Sequence, residues 1–349
     1  MRLTSVRPGR RPSGDLVGAV LARDLRLGEE RWSKGRRLTA ADLGALAAAP
    51  LDLALPETTV LVIEPGELHE DEAAVRLAAA VRGPGLTLRG PVQSRVDLVA
   101  AHDGVVHVDL AVVERIDRLD PLEVFTVLDG QAVTAGALVA SVKVAPHVVD
   151  ERVVAAGERV AGRSGAVVRV APYRPHRVGV LVKETISGAA RTRFEASVRA
   201  KVESLGSQVV AVDYVPDDAG AVTDAMRPLV RGRGRADLIL TAGGASTDPT
   251  DAFFVAIDRL GGRMVRHGVP AHPGSMLWIA RVSRVGILGL PTCGAYSKAT
   301  AADLILPRLL TGEPVTRATV ARLGHGGILT RSMRFRFPPY ARELDAPDG

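Results

Sequence analysis

The chain has 349 residues and a formal net charge of +6, and 46% of its residues are hydrophobic while only 3% are aromatic. This length suits two domains with a large aliphatic core, and the composition excludes an intrinsically disordered protein. The positive charge suits an anionic ligand. No Lys/Arg block interleaved with aromatic residues occurs, however, which argues against nucleic-acid binding. The single cysteine, Cys293, excludes an internal disulfide and is typical of a reducing compartment.

The sequence contains no targeting or membrane-spanning signal. Residues 1–14 are basic but lack the apolar run of a signal peptide. No stretch approaches the roughly 18 uninterrupted apolar residues of a membrane span. We therefore expect a soluble cytoplasmic protein that makes no membrane contact.

The first half of the chain predicts an N-terminal α+β region that is rich in β structure. In chain order, residues 41–50 favour a short helix, residues 61–67 a strand and residues 70–83 a second helix. Residues 102–144 alternate apolar and polar positions around Gly-centred turns, which is typical of β-hairpins. Two prolines in the segment 171–176 predict a linker, so the first domain is expected to span residues 1–172.

The second half predicts a three-layer α/β/α domain with a mostly parallel sheet, spanning residues 176–325. Residues 178–182 form a continuous apolar run, as in a strand buried on both faces. Apolar side chains then recur at helical spacing until Gly206. This strand–helix rhythm repeats, with further strands expected at 208–215, 236–241, 263–269 and 285–290. The last residues, 326–349, are expected to form a loosely held tail.

The segment 238–251 carries the most informative motif. A short apolar strand runs into Gly243 and Gly244, followed by Ser246 and Asp251 before a helical segment. Glycines at a helix N-terminus leave backbone N–H groups free for a phosphate, whereas the simpler interpretation is a tight turn capped by Ser246. Asp251 suits an Mg²⁺ ligand or an acid/base group, with Asp217 as its partner on the same sheet edge. The simpler role for Asp251 is to complement the helix dipole.

Taken in order, these motifs resemble the molybdopterin-binding domain of molybdenum cofactor biosynthesis proteins, a family that includes molybdopterin adenylyltransferases, molybdotransferases and gephyrin. The resemblance covers roughly residues 176–312 and rests on five segments in sequence. These are the first strand with its polar loop, the acidic turn at 216–218, the Gly-Gly turn, the Pro-Gly segment 267–275 and the final loop 291–298. The resemblance implies cofactor-binding residues at Thr185, Ser187, Gly243, Gly244, Ser246, Pro273, Gly274, Cys293, Gly294, Ser297 and Lys298.

The chain also departs from that family pattern. Asp248 stands where the family usually has glycine, and Ser275-Met276 replaces a Lys-Pro pair that supplies a phosphate-reaching lysine. Lys298 restores a positive charge in the final loop, where Cys293 is either a small half-buried residue or a thiolate near the metal. The first half is similar to the molybdotransferases only in outline, and no full C-terminal barrel follows residue 325.

The resemblance implies a protein that binds molybdopterin, or its adenylylated form, and acts in molybdenum insertion or cofactor maturation like a molybdotransferase. Asp251 and Asp217 would then be catalytic and would hold Mg²⁺, with molybdate as a further ligand. The alternative is a non-catalytic molybdopterin carrier or insertion chaperone for molybdenum hydroxylases, and a third reading is a nucleotide-binding protein unrelated to molybdenum. Expected partners are a molybdoenzyme or nucleotidyltransferase, and the family implies a homodimer or trimer.

Overall fold

The computed structural model describes residues 1–51, 57–183, 186–244, 246–290 and 299–342. The chain divides into two compact units. The first contains residues 1–101, 107–129 and 135–170, and the second contains residues 102–106, 130–134 and residue 171 onwards. The second unit therefore includes two short segments from the first half of the sequence.

The first unit is built from small antiparallel sheets and four helices among its described residues. Two strands, β9 and β14, extend across the limits of the unit. The strands are β1 (Arg2–Val6), β2 (Val20–Leu21), β3 (Leu25–Leu27), β4 (Glu30–Trp32), β5 (Thr58–Val62), β6 (Glu67–His69), β7 (Leu86–Val92), β8 (Arg95–Ala100), β9 (Gly104–Val108), β10 (Leu122–Thr126), β11 (Ala132–Val133, in the second unit), β12 (Leu138–Val144), β13 (Val148–Asp150) and β14 (Val168–Pro172). The helices are α1 (Ala40–Ala48), α2 (Glu70–Val81), α3 (Leu110–Asp117) and α4 (Glu151–Ala161).

The sheets of this unit have the orders β1-β5-β2, β10-β12-β8-β7, β13-β6 and β3-β4. All of these strand pairs are antiparallel, which is the pairing expected for hairpins. The mixed, β-rich character predicted for the first half is thus confirmed.

The second unit contains a six-stranded sheet with the order β16-β15-β17-β20-β19-β18. Its strands are β15 (Arg177–Val182), β16 (Gln208–Tyr214), β17 (Leu238–Ala242), β18 (Arg263–His267), β19 (Trp278–Val282) and β20 (Val285–Gly289). Its helices are α5 (Gly188–Glu203), α6 (Ala219–Val230), α7 (Ala252–Arg259), α8 (Ala302–Leu310), α9 (Arg317–Ala321) and α10 (Pro339–Arg342). The pairs of β15 with β16, β15 with β17 and β17 with β20 are parallel, so the predicted mostly parallel sheet is confirmed.

Helices cover both faces of this sheet. On β17, Leu238 and Leu240 join one apolar core, which also contains residues of α5 and α8. Ile239 points to the opposite core, which contains residues of α6 and α7. Since successive side chains of a strand alternate between faces, this division establishes the three layers that the strand–helix rhythm predicts.

One strand of the sheet was not expected from the sequence. β19 runs antiparallel between β18 and β20 and reaches β20 through a tight turn at Ser283, whose φ is +54°. Tight hairpin turns that need a positive φ usually contain Gly, Asn or Asp. The Ser-Arg pair at this turn carries no such signal, and the strand was therefore missed.

The parallel register brings several chain segments to one edge of the sheet. Val182 of β15 is aligned with Tyr214 of β16 and with Ala242 of β17. The next residue after each strand therefore leaves the sheet at the same edge, where ligands of such folds bind. Among the described residues, no helix is long and apolar enough to cross a membrane.

A buried ion pair joins α5 to α8. Lys201 Nζ lies 2.5 Å from Asp303 Oδ1, and both side chains are almost fully buried. Tyr340 donates to the same carboxylate oxygen at 3.1 Å, and the backbone N–H of Thr300 donates to Asp303 Oδ2 at 2.9 Å. The pair thus ties the segment before α8 and the short helix α10 to α5.

Replacing Lys201 with Met should destabilise the protein by about 3–5 kcal/mol, because it leaves a buried carboxylate without its counter-charge. The double variant Lys201→Met/Asp303→Leu should recover most of that loss, since neither charge then remains. Urea unfolding followed by circular dichroism measures both. Equal destabilisation in the single and double variants would contradict this account.

Candidate functional site

Lys183 occupies the centre of the predicted site. It follows β15 directly, and its Nζ lies 2.7 Å from Asp251 Oδ2 and 2.8 Å from Asp217 Oδ1. Its backbone N–H donates to the carbonyl of Ala242 at 2.9 Å, which extends the pairing of β15 with β17 by one residue. The two aspartates predicted to act together are therefore brought together, through a lysine.

Asp251 is buried and uses both carboxylate oxygens. Oδ2 accepts from Lys183, while Oδ1 accepts from the backbone N–H of Phe253 at 2.9 Å, so that Asp251 caps the N-terminus of α7. The ring of Phe253 also faces the ammonium, with its centroid 5.5 Å from Nζ. The buried carboxylate thus combines a helix cap with an ion pair.

Asp217 differs from Asp251 in its exposure. Its side chain is 67% exposed, whereas that of Asp251 is 1% exposed. The neighbouring Asp218 caps α6 by accepting from the backbone N–H of Ala221 at 2.8 Å. Of the two adjacent acids after β16, one therefore starts a helix and the other reaches Lys183 at the solvent boundary.

The environment of Lys183 keeps its ammonium charged. Burial by itself lowers the pKa of the group, but hydrogen bonds and charges from Asp217 and Asp251 outweigh burial and raise the pKa above its ordinary value of 10.5. The site thus carries a fixed cation at neutral pH, held by one buried and one exposed carboxylate.

The Gly-Gly turn lies directly beyond β17. Gly243 has a φ of +87°, a conformation that favours glycine, and a Cβ on Gly244 would lie 3.5 Å from the ring of Phe253. The carbonyl of Ser246 is hydrogen-bonded to His267 Nε2 at the end of β18. The turn is thus held against two neighbouring elements while its backbone passes beside the site.

Asp248 shapes the same turn. Its Oδ1 accepts from the hydroxyl of Thr250 at 2.7 Å and from the backbone N–H of Thr250 at 2.8 Å. Both hydrogen bonds lower the pKa of the Asp248 carboxyl, and the one from the Thr250 hydroxyl has the larger effect. Asp248 therefore acts as a turn former in the local structure.

Other predicted residues have different surroundings. The carbonyl of Pro273 accepts from the backbone N–H of Ala301 at 2.9 Å, and Gly274 is so close that a Cβ would lie 2.8 Å from that nitrogen. Ser187 is exposed at the N-terminus of α5 and makes no side-chain capping bond. Thr185, Cys293, Gly294, Ser297 and Lys298 lie outside the described residues.

Lys183 is the residue that sequence reasoning missed. The family resemblance directs attention to the hydroxyl groups of Thr185 and Ser187 in the polar loop after the first strand, and not to the lysine that precedes them. A lysine directly after a buried parallel strand is itself a signal, because that position opens onto the ligand-binding edge of the sheet.

The acidic side chains of the site are arranged around one ammonium. Among the residues that the structure describes, no group of three or more His, Cys, Asp or Glu side chains is arranged to hold a metal. Lys183 Nζ contacts both carboxylates that would supply the ligands of Mg²⁺. The ammonium and the backbone N–H groups of a glycine turn are, by contrast, suited to phosphate.

Comparison with known families places this domain. Residues 177–311 match the model of a family described as a probable molybdopterin binding domain. Residues 177–311 therefore form a domain of the molybdopterin-binding type. The matched segment of this molybdopterin-binding domain contains Lys183, Asp217, Asp251 and the Gly-Gly turn, so the site lies wholly within it. The resemblance predicted from the sequence is thereby confirmed.

Comparisons with whole proteins add little. No curated protein matches the chain. The structure is similar to that of a molybdopterin biosynthesis MoeA protein from Pyrococcus horikosii, with 14% identity, a TM-score of 0.30, and coverage of 71% of this chain and 81% of the other. It is also similar to a molybdenum cofactor biosynthesis protein B, with 16% identity, a TM-score of 0.26, and coverage of 44% and 93%. Such low scores carry no argument about function.

Replacing Lys183 with Met should cost about 3–5 kcal/mol of unfolding free energy at neutral pH, because Asp251 is left buried without its counter-charge. The folded-state pKa of Lys183 is raised, so its stabilisation is complete below 10.5 and is lost as the pH rises through the folded value. The difference in unfolding free energy between wild type and Lys183→Met should therefore become smaller above that pH. Urea unfolding of both proteins, from neutral pH up to the highest pH at which they fold, measures this difference. A difference in unfolding free energy that increases with pH would contradict the prediction.

Proposed function

We propose that this chain binds molybdopterin at the carboxyl ends of β15, β16 and β17 and acts in molybdenum insertion or cofactor maturation. The observation that carries the proposal is the convergence of Lys183, Asp217 and Asp251 beside the Gly243–Gly244 turn, inside the segment that matches the molybdopterin-binding family. A phosphate-bearing pterin is bound by cationic and backbone N–H donors at a sheet edge, and the Lys183 ammonium beside the Gly-Gly turn supplies donors of both kinds.

The phosphate group would lie against the Gly-Gly turn. Glycine permits close approach of the backbone, and the free N–H groups of such a turn bind anions. The cation of Lys183 adds charge stabilisation within a partly buried setting, where electrostatic interactions are stronger than in water. The charge of the family's missing Pro-Gly-Lys lysine would thus be supplied by a different strand.

In the enzymatic form of this proposal, the two aspartates position the ammonium. Asp251 is buried and holds Lys183 from the side of α7, and Asp217 is exposed and accessible to a ligand. A preorganised cation of this kind stabilises charge that develops on a transferring phosphate or oxyanion without reorganisation of the protein. Asp217 is the carboxylate that has the access needed to exchange a proton with a ligand.

A second function, that of a non-catalytic molybdopterin carrier or insertion chaperone, is favoured by one observation. Both carboxylates are engaged by Lys183, and Asp251 also caps a helix. Carboxylates that are held by such contacts can shape a binding site without taking part in a reaction. Adenylylated molybdopterin, molybdate and a recipient molybdoenzyme or nucleotidyltransferase fit either function.

The two functions separate when purified protein is incubated with molybdopterin, MgATP and molybdate. We expect the enzyme to release a modified cofactor and Asp251→Asn to lower the rate by roughly two orders of magnitude or more, because the preorganised cation loses its buried partner. Asp248→Asn is the matched control, since it lies in the same turn and asparagine can still accept from Thr250. Tight binding without turnover under every condition assigns the carrier function instead.

Lys183→Met should weaken molybdopterin binding by roughly one to two orders of magnitude, because a charge-assisted hydrogen bond contributes about 1.5–3 kcal/mol. Co-elution of the pterin with the protein, detected by its fluorescence after oxidation, measures the change. Lys143→Met controls for the loss of one positive charge outside the matched domain. Retention of full affinity by Lys183→Met would remove the lysine from the site, and clear ATP or CTP binding without any molybdopterin binding would point to a nucleotide-binding protein.

A further inference from the structure

The two carboxylates at the sheet edge enclose a position that is already filled by a cation. Lys183 Nζ lies 2.8 Å from Asp217 Oδ1 and 2.7 Å from Asp251 Oδ2, so the oxygens that would bind a metal ion accept hydrogen bonds from one ammonium. The stem of the lysine is fixed as well, because its side chain is only 3% exposed and its backbone extends the pairing of β15 with β17. The ammonium thus has little freedom to leave.

We propose that Lys183 takes the place of a divalent cation between Asp217 and Asp251, and that the site binds the phosphate of its ligand directly through this ammonium. The choice of ligand rests on the function proposed above, whereas the replacement of the metal rests on the geometry alone. The substrate class is a phosphate monoester that is bound without Mg²⁺.

Charge supports this assignment. Two carboxylates and one ammonium leave the site with one net negative charge, and the nearby N–H groups of the glycine turn offset it when a phosphate approaches. A divalent ion added beside the same ammonium would be repelled by it at short distance. Mg²⁺ also requires an octahedron of oxygens at about 2.0–2.1 Å. Both acidic side chains instead contact the lysine, and Asp251 also accepts from a backbone N–H.

The ammonium also has a donor for the ligand. A lysine ammonium has three N–H groups, and the two aspartates account for two of them. Within the described part of the chain, no further hydrogen bond of Lys183 Nζ is seen. The third N–H is therefore the group that would reach a phosphate oxygen.

The experiment titrates Mn²⁺, as a spectroscopic substitute for Mg²⁺, into the full-length protein without any pterin and follows free Mn²⁺ by electron paramagnetic resonance. Wild type should show no saturable site at these acids. Lys183→Met should bind Mn²⁺ at least roughly tenfold more tightly than the weak, non-saturating binding of wild type, because removal of the ammonium takes the counter-charge away from two carboxylates. The gain should disappear in Lys183→Met/Asp251→Asn. Lys201→Met is the matched control, because it removes a buried lysine that is paired with one carboxylate, that of Asp303, among the described residues.

Two results overturn the proposal. One is saturable Mn²⁺ binding to wild type that Asp251→Asn abolishes, a measurement that remains decisive if Lys183→Met fails to fold. The other is molybdopterin binding to wild type that requires Mg²⁺ and is lost in EDTA. Molybdopterin binding that survives EDTA supports the proposal. Absence of molybdopterin binding under both conditions refutes the proposed function instead, while the Mn²⁺ titration still decides whether Lys183 replaces the metal.

Discussion

The ion pair between Lys183 and Asp251 is the interaction on which the site depends, because both side chains are buried and neither charge is tolerable without the other. Breaking such a pair exposes the full desolvation cost of the remaining charge. The pair therefore couples the end of β15 to the start of α7 and fixes the distance between two elements that border the ligand edge. Asp217 adds a second contact from the solvent side.

The parallel sheet makes this pair possible. β15 lies between β16 and β17, and the register aligns the last residues of all three strands. A lysine at the end of the middle strand is therefore within reach of acidic residues that follow each neighbour. The same register in an antiparallel sheet would place the three chain ends at alternate edges, and the charges would not meet.

The helix caps explain why acidic residues are concentrated at this edge. Parallel strands are followed by helices whose N-termini need acceptors, and aspartate is among the preferred residues there. Asp218 and Asp251 both serve as caps, and Asp251 has a second oxygen left for the lysine. A structural requirement of the fold thus supplies the negative charge that holds the Lys183 ammonium in place.

The segment after the Gly-Gly turn is held in place by contacts with His267. His267 at the end of β18 holds the carbonyl of Ser246, and the ring of Phe254 lies 5.3 Å from the His267 ring. These contacts join the Gly-Gly turn to β18, the edge strand of the sheet. The Pro273–Gly274 segment instead packs against Ala301, so its family-like sequence has a structural reason of its own.

The sequence by itself determined the layers and the parallel strands. Continuous apolar runs, and apolar residues at helical spacing, are local patterns that can be recognised in the sequence without knowledge of tertiary contacts. It also placed Asp217 and Asp251 at the same edge of the sheet, since each follows a parallel strand. Only the tertiary structure decided that Lys183 lies between them, and that β19 inserts antiparallel beside β20. An ion pair between residues 68 positions apart depends on strand register and burial. Neither property is encoded in the spacing of one chain segment, and the lysine between the two aspartates therefore could not be predicted from that spacing.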